Sequence, residues 1–281
     1  MIKLSIICAL LLVLAVSKPL NPNKVIWAVD TGLDSSSRSA AGFKYNADSG
    51  FSKNTRSANY NNNDEIKEIK VKYTQDSELY KTERHADEDF TYSIPVEAPG
   101  KYVLITKYAE MWFREAGKRA FNVKLGSCLV IEKLDIVAKV GKFAAWDEYT
   151  EFELKLGQVY HNGNLCADAY KGGKLVVTFQ KIGIDNPMVN GIVLYSGSLA
   201  DTDYSDLAGQ RAEWDRREAD EKRRKEEERE RRADAAMKKF EKHRRRNDEI
   251  DDVNEDTEDF DYSSVTHSNI AEFIFSSSLF L

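Results

Sequence analysis

Phe90-Thr91-Tyr92-Ser93-Ile94-Pro95 and, after a Pro99-Gly100 turn, Lys101-Tyr102-Val103-Leu104-Ile105-Thr106-Lys107-Tyr108 are the stretch on which the fold turns. In the first run apolar and polar side chains alternate with period two, the spacing that sends successive residues to opposite faces of a sheet. Pro95 ends it, because proline has no N–H to give to a strand ladder. The second run is longer and more apolar. The same rhythm extends outward. Lys24-Val25-Ile26-Trp27-Ala28-Val29-Asp30 opens it, Ile69-Lys70-Val71-Lys72-Tyr73 alternates, and residues 119–125, 128–131, 149–156, 174–180 and 191–195 continue it. Short strands separated by turn residues, with no amphipathic helix between them, predict an all-β antiparallel sandwich with an inter-sheet core. Two segments break the rhythm. Residues 31–66 are rich in Ser, Asn, Gly and charge and read as a long loop, a feature that is often functional. At 111–117 a strand ends in an aromatic pair followed by a charged turn.

Charge is spread unevenly over the 281 residues, whose formal net charge is -6. Residues 1–207 hold 25 basic and 26 acidic side chains, 208–246 hold 16 and 11, and 247–281 hold none and 10. The nearly neutral part is the candidate domain. The basic excess lies in the tail rather than on a folded module, which argues against nucleic acid as a partner. Residues 208–246 have no Pro and no Gly after position 209, and carry acid-before-base pairs at i,i+4, such as Asp220–Arg224, Glu221–Lys225, Glu227–Arg231 and Glu228–Arg232. With no apolar heptad seam, and with Trp214, Met237 and Phe240 isolated, this reads as a single solvated helix rather than a coiled coil. Residues 247–281 read as an acidic disordered tail. Its last stretch, 270–281, is too short to span a bilayer and too polar for a glycolipid-anchor signal.

At the other end, Lys3, the apolar run 4–16 and Ala15-Val16-Ser17 have the layout of a secretory signal peptide over residues 1–17, which directs the chain to the endoplasmic reticulum. The domain then covers 18–207. Cleavage removes Cys8 and leaves Cys128 and Cys166, either bridged in the oxidising lumen or free and buried. Histidines occur only at 85, 161, 243 and 267, and no CxxC or HExxH is present, so no metal or cofactor is expected.

Carboxylates gather at two places: Glu110 before Trp112 and Phe113, and Glu83, Asp87, Glu88 and Asp89 around His85. A glycosidase needs two such groups about 5–9 Å apart, a distance that spacing in sequence does not measure. No nucleophile elbow or phosphate loop accompanies them, and the chain is read as a non-enzyme. Aromatics carry the stronger signal. Tyr60 lies in Ser57-Ala58-Asn59-Tyr60-Asn61-Asn62, Trp112 and Phe113 sit at a strand end, and Asp185-Asn186-Pro187 is a turn. Ring faces against a sugar's C–H face, with a carboxylate accepting hydroxyl hydrogen bonds, would make a carbohydrate site.

The order of several segments closely resembles the malectin family: Val25-Ile26-Trp27-Ala28-Val29, Leu79-Tyr80-Lys81-Thr82-Glu83-Arg84, Pro99 to Leu104, Tyr108-Ala109-Glu110-Met111-Trp112-Phe113, Phe121-Asn122-Val123, Leu134-Asp135-Ile136 with Val140-Gly141, and Asp185-Asn186-Pro187-Met188-Val189. The resemblance covers roughly 24–197. It implies a jelly-roll-like β-sandwich that binds glucose-containing disaccharide units on immature N-glycans in the endoplasmic reticulum, without catalysis, as part of glycoprotein quality control. It further implies glucosylated high-mannose glycans as ligands and ribophorin I of the oligosaccharyltransferase as a partner. Four aromatics and one aspartate hold the ligand in that family, and their counterparts here are Tyr60, His85, Trp112, Phe113 and Asp185. His85 and Trp112 each stand where the family has Tyr. The family's membrane-spanning C-terminal helix has no obvious counterpart, which leaves lumenal, membrane-associated and secreted forms open. The contrasting reading is a structural or adaptor sandwich with a helical spacer and no sugar ligand.

Overall fold

The computed structural model describes residues 20–204 and 207–251. The signal peptide read at 1–17 and the end of the acidic tail lie outside these residues. The strands are β1 (Val25–Asp30), β2 (Ser37–Arg38), β3 (Lys44–Tyr45), β4 (Arg56–Asn59), β5 (Thr82–His85), β6 (Phe90–Pro95), β7 (Gly100–Ala109), β8 (Ala120–Leu125) and β9 (Cys128–Leu134). After the short helix α1 (Ile136–Val140) come β10 (Ala145–Lys155), β11 (Gln158–His161), β12 (Asn164–Cys166), β13 (Tyr170–Lys171), β14 (Lys174–Ile184), β15 (Met188–Val189) and β16 (Gly191–Ser196). A long helix, α2 (Leu207–Asp251), follows.

Two sheets form the sandwich. One is six-stranded, ordered β1-β16-β7-β10-β11-β12; in the other, five-stranded, β14 carries β6 along one edge and β13 then β8 along the other, with β9 beyond β8. The strands of these sheets pair antiparallel. β6 and β7 therefore enter different sheets, and the corner after Pro95 carries the chain across. Tyr102 anchors that corner by donating its hydroxyl to the Ala98 carbonyl (2.5 Å).

β7 explains its own composition. Tyr102, Leu104 and Tyr108 point into the core between the sheets, whereas Val103, Ile105 and Ala109 point into a second core on the outer face of the six-stranded sheet. A strand buried on both faces must be apolar on both, hence the continuous run. The outer core is covered by Leu20, Phe43, Tyr45, Ile66, Val71, Leu79 and Tyr80. The segment 31–66, expected as a loop, is thus a cover that contributes β2, β3 and β4 as well as buried aromatics.

Ile69 to Tyr73 is not the strand its alternation suggests. Val71 is plugged into the outer core, Lys72 forms an isolated bridge to Ala144, and Tyr73 at φ +61° breaks the extended path. α1 interrupts the period-two pattern because Asp135 caps it, accepting from the Ala138 N–H (2.9 Å), and Gly141 ends it. Cys128 and Cys166 are disulfide-bonded, joining β9 of one sheet to β12 of the other.

The chain divides into two compact units within α2, after Arg217. In the first unit Trp214 is not isolated. Its ring meets Tyr73 edge-on at 6.5 Å, the Lys70 amine lies 5.3 Å over it, and the Tyr73 hydroxyl donates to Asp215. A search for a repeating seam overlooks a single aromatic anchor. In the second unit Glu221–Lys225 (2.7 Å), Glu228–Arg232 (2.6 Å) and Glu227–Arg231 (3.9 Å) pair as spaced, while Asp220 chooses Arg223 at i,i+3. Among the described residues no helix is long and apolar enough to cross a membrane.

Candidate functional site

A small sheet of β4, β5 and β15 lies beside the sandwich, with Ala58 opposite Glu83 and with Arg56 and Met188 flanking His85. Tyr60 follows β4 directly and opens a 3-10 turn that Asn59 caps, its side chain accepting from the Asn61 N–H (3.0 Å). Glu83 and His85, two apart on β5, share a face. His85 Nδ1 lies 3.1 Å from Glu83 Oε1 but off the hydrogen-bond axis, so this contact is a close approach rather than a bond. Burial pushes the Tyr60 phenol well above its ordinary range, and the neighbouring Glu83 adds to this while Arg119 opposes it.

Trp112 and Phe113 follow the end of β7, where the backbone leaves the extended path. Glu110 makes that departure. Its side chain is buried, and Oε1 accepts from the backbone N–H groups of both Trp112 (2.8 Å) and Phe113 (3.1 Å). The strict opposition of neighbouring side chains in a strand therefore no longer applies. The Trp112 side chain projects outward, 68% exposed, and Phe113 is half-buried. Burial raises the Glu110 pKa, and Arg119 with the two N–H groups restrains the rise.

Asp185 occupies the turn between β14 and β15 at φ +52°, a left-handed conformation that aspartate tolerates better than most residues. Its Oδ2 lies 3.1 Å from Arg119 Nη2. Arg119 also places Nε 3.0 Å from Glu110 Oε2, donates from Nη1 to the Asn186 carbonyl (3.3 Å) and sets its guanidinium 5.4 Å over the Phe113 ring. Behind these residues, fully buried Asn190 accepts from the Ala109 N–H (2.7 Å) and donates to the carbonyls of Tyr80 (3.0 Å) and Thr82 (2.6 Å). It locks β5, the end of β7 and the approach to β16 together.

The residues expected from sequence thus fall into two linked groups, His85 and Tyr60 around Glu83, and Phe113 and Asp185 around Arg119, with Trp112 standing out beside Phe113. The charges of Glu83 and Glu110 both push the Tyr60 pKa up, and that of Glu83 pushes up Glu110's, which links the groups. They line neither of two clefts of about 380 Å³ elsewhere on the first unit; Trp112 is exposed and Tyr60, His85, Phe113 and Asp185 are half-buried, a partly exposed face. Such a face offers aromatic surface, and a carboxylate whose Oδ1 has no protein partner among the described residues. Among those residues no group of His, Cys, Asp and Glu is arranged to hold a metal ion. Arg119 and Asn190 were not identifiable from sequence: nothing distinguishes either from the other basic or amide residues until the fold brings their partners together.

Residues 25–192 match the family profile of the malectin domain. Malectin of Danio rerio is 32% identical over 178 residues, 63% of this chain and 60% of that protein, and Malectin-A of Xenopus laevis is 32% identical over 179 residues, 64% and 62% respectively. Malectin of Homo sapiens is 34% identical over 127 residues, 45% of this chain and 42% of that one. The chain spans about 60% of the length of the first two relatives. Since the profile takes in more than half of its length, and the strands that carry the matched segments build one antiparallel sandwich, the chain belongs to the malectin domain family.

Proposed function

We propose that this chain is a non-catalytic lectin of the early secretory pathway, acting in the endoplasmic reticulum lumen. It binds glucose-containing disaccharide units of immature, glucosylated high-mannose N-glycans. Tyr60, His85, Trp112, Phe113 and Asp185 hold the sugar, the rings against its C–H faces and the carboxylate on its hydroxyls. The oligosaccharyltransferase subunit ribophorin I is the partner we propose on the strength of the resemblance. The observation that carries the reading is an exposed indole beside Phe113, with Asp185 and Phe113 on the same Arg119 guanidinium and Asp185 Oδ1 without a protein partner among the described residues. That is the pairing of flat apolar surface with a hydroxyl acceptor that a sugar ring requires.

Calorimetry of the chain from residue 18 with glucose disaccharides of different linkage, alongside a glycan array, tests it. Trp112→Ala and Phe113→Ala are each expected to weaken binding by about 1–3 kcal/mol, the scale of a lost aromatic contact. Asp185→Asn is expected to cost about 1.5–3 kcal/mol, because a charged acceptor is replaced by a neutral one. Unchanged affinity in all three folded variants would remove the face from sugar binding. Absence of any glycan signal from the intact chain would favour an adaptor role.

A further inference from the structure

We propose that Arg119 is the positioning residue of this face, a single side chain that holds the aromatic pair and Asp185 in one arrangement. The proposal rests on the reading of the face as a sugar site. The two segments it joins come from different places in the chain: Glu110 to Phe113 follows β7, while Asp185 and Asn186 lie between β14 and β15. Arg119 touches both.

Each guanidinium nitrogen faces a protein group. Nη2 meets Asp185 Oδ2 at 3.1 Å, Nη1 donates to the Asn186 carbonyl at 3.3 Å, and Nε faces Glu110 Oε2 at 3.0 Å, an ion pair rather than an aligned hydrogen bond. Its Cζ also lies 5.4 Å from the centre of the Phe113 ring. The Arg119 side chain is only 10% exposed. So placed, Arg119 acts on the sugar through its neighbours rather than by direct contact. It holds Oδ2 of Asp185 and leaves Oδ1, which has no protein partner among the described residues. By pairing with Glu110 it opposes the burial that raises that carboxyl's pKa, at the group that accepts from both the Trp112 and Phe113 N–H groups. Lysine carries the same charge on a single nitrogen, which cannot stand at the three positions that Nε, Nη1 and Nη2 occupy.

The test is calorimetry of the chain from residue 18 with the glucose disaccharide that the wild type binds best, with thermal melts alongside. Arg119→Lys is expected to weaken binding about tenfold while keeping the melting temperature within about 5 °C. The double variant with Asp185→Asn is expected to bind no worse than about twofold below the weaker single variant, since both changes remove one device. Wild-type affinity in Arg119→Lys, or losses that simply multiply in the double variant, would overturn the proposal and leave the sugar site standing. No binding by the wild type would overturn the functional reading and this proposal with it. Should Arg119→Lys melt much lower, Asp185→Asn and Glu110→Gln replace it, each loosening one tie while Arg119 remains. Sub-additive losses then support the positioning role, and independent losses overturn it.

Discussion

Each polar side chain of Tyr80-Lys81-Thr82-Glu83-Arg84 goes to a separate partner. Tyr80 donates to Asp147 (2.6 Å), Lys81 to the Lys67 carbonyl (2.6 Å) and Thr82 to Asp30 (2.6 Å); Glu83 faces His85, and Arg84 donates to Asp48 (2.5 Å) with Phe51 beneath its guanidinium at 3.5 Å. The string is conspicuous in sequence, but most of these partners are not, since they arrive from three or more other segments. Tyr80's acceptor, Asp147, also pairs with Lys107 on the outer face of the main sheet; burial opposes the Lys107 charge, yet Asp147 holds its pKa well above the ordinary value. Asp30 is the opposite case. Burial raises its pKa from 3.8 to about 6, more than the hydroxyls of Thr82 and Ser37 restrain it. The folded state therefore holds a proton between pH 4 and 6 that the unfolded chain has released, and Asp30's contribution to stability falls as pH rises through that window. We expect the stability of the wild type relative to Asp30→Asn to drop by up to about 3 kcal/mol from pH 4 to 6 and then level off. Urea titrations at stepped pH measure it, and a flat difference would show that Asp30 ionises normally in the fold.

Among the elements, the apolar content of β7 was readable, but its two-sided burial was not, because a continuous run does not say what lies against each face. The disulfide is similar. Two cysteines were visible, and their pairing follows only from β9 and β12 meeting at the edges of opposite sheets. It closes a segment of 38 residues. We expect Cys128→Ser with Cys166→Ser to cost about 2–4 kcal/mol, the range of loop-closure entropy for such a span, seen as a lower urea midpoint. Reduction of the wild type should produce the same shift. α2 draws on a different source of stability. Beyond Arg217 its described ion pairs are i,i+3 and i,i+4 contacts between exposed side chains, each worth about 0.2–0.5 kcal/mol and screened by salt. Circular dichroism of a 218–246 peptide should show helix that declines as salt is added. A concentration-dependent cooperative melt would indicate self-association instead.

For the whole molecule, the two cores share one sheet: β7 lends Tyr102, Leu104 and Tyr108 to one and Val103, Ile105 and Ala109 to the other. Neither can open without exposing the other through the same strand. We expect residues 18–217 to unfold in a single calorimetric transition whose van't Hoff and calorimetric enthalpies agree. Trp214→Ala, which frees the start of α2 from Tyr73 and Lys70, should lower its stability by about 1–2 kcal/mol without splitting that transition. Two transitions would mean that the outer cover formed by 31–81 folds separately. The amino-acid sequence by itself determined the antiparallel sandwich, through period-two alternation broken by Pro and Gly, and the charged helix, through acid–base pairs one turn apart. It also marked Trp112, Phe113 and Asp185, whose residue types suit a sugar. Tertiary structure alone decided that 31–66 covers a second core, that Ile69 to Tyr73 is not a strand, and that Trp214 docks. It alone decided, too, that Arg119 stands between Glu110 and Asp185. Alternation and helical pairing are local, fixed by covalent geometry over a few residues. Which surfaces meet across 50 to 100 residues depends on how the sheets close, and that is settled by the packing of the whole chain.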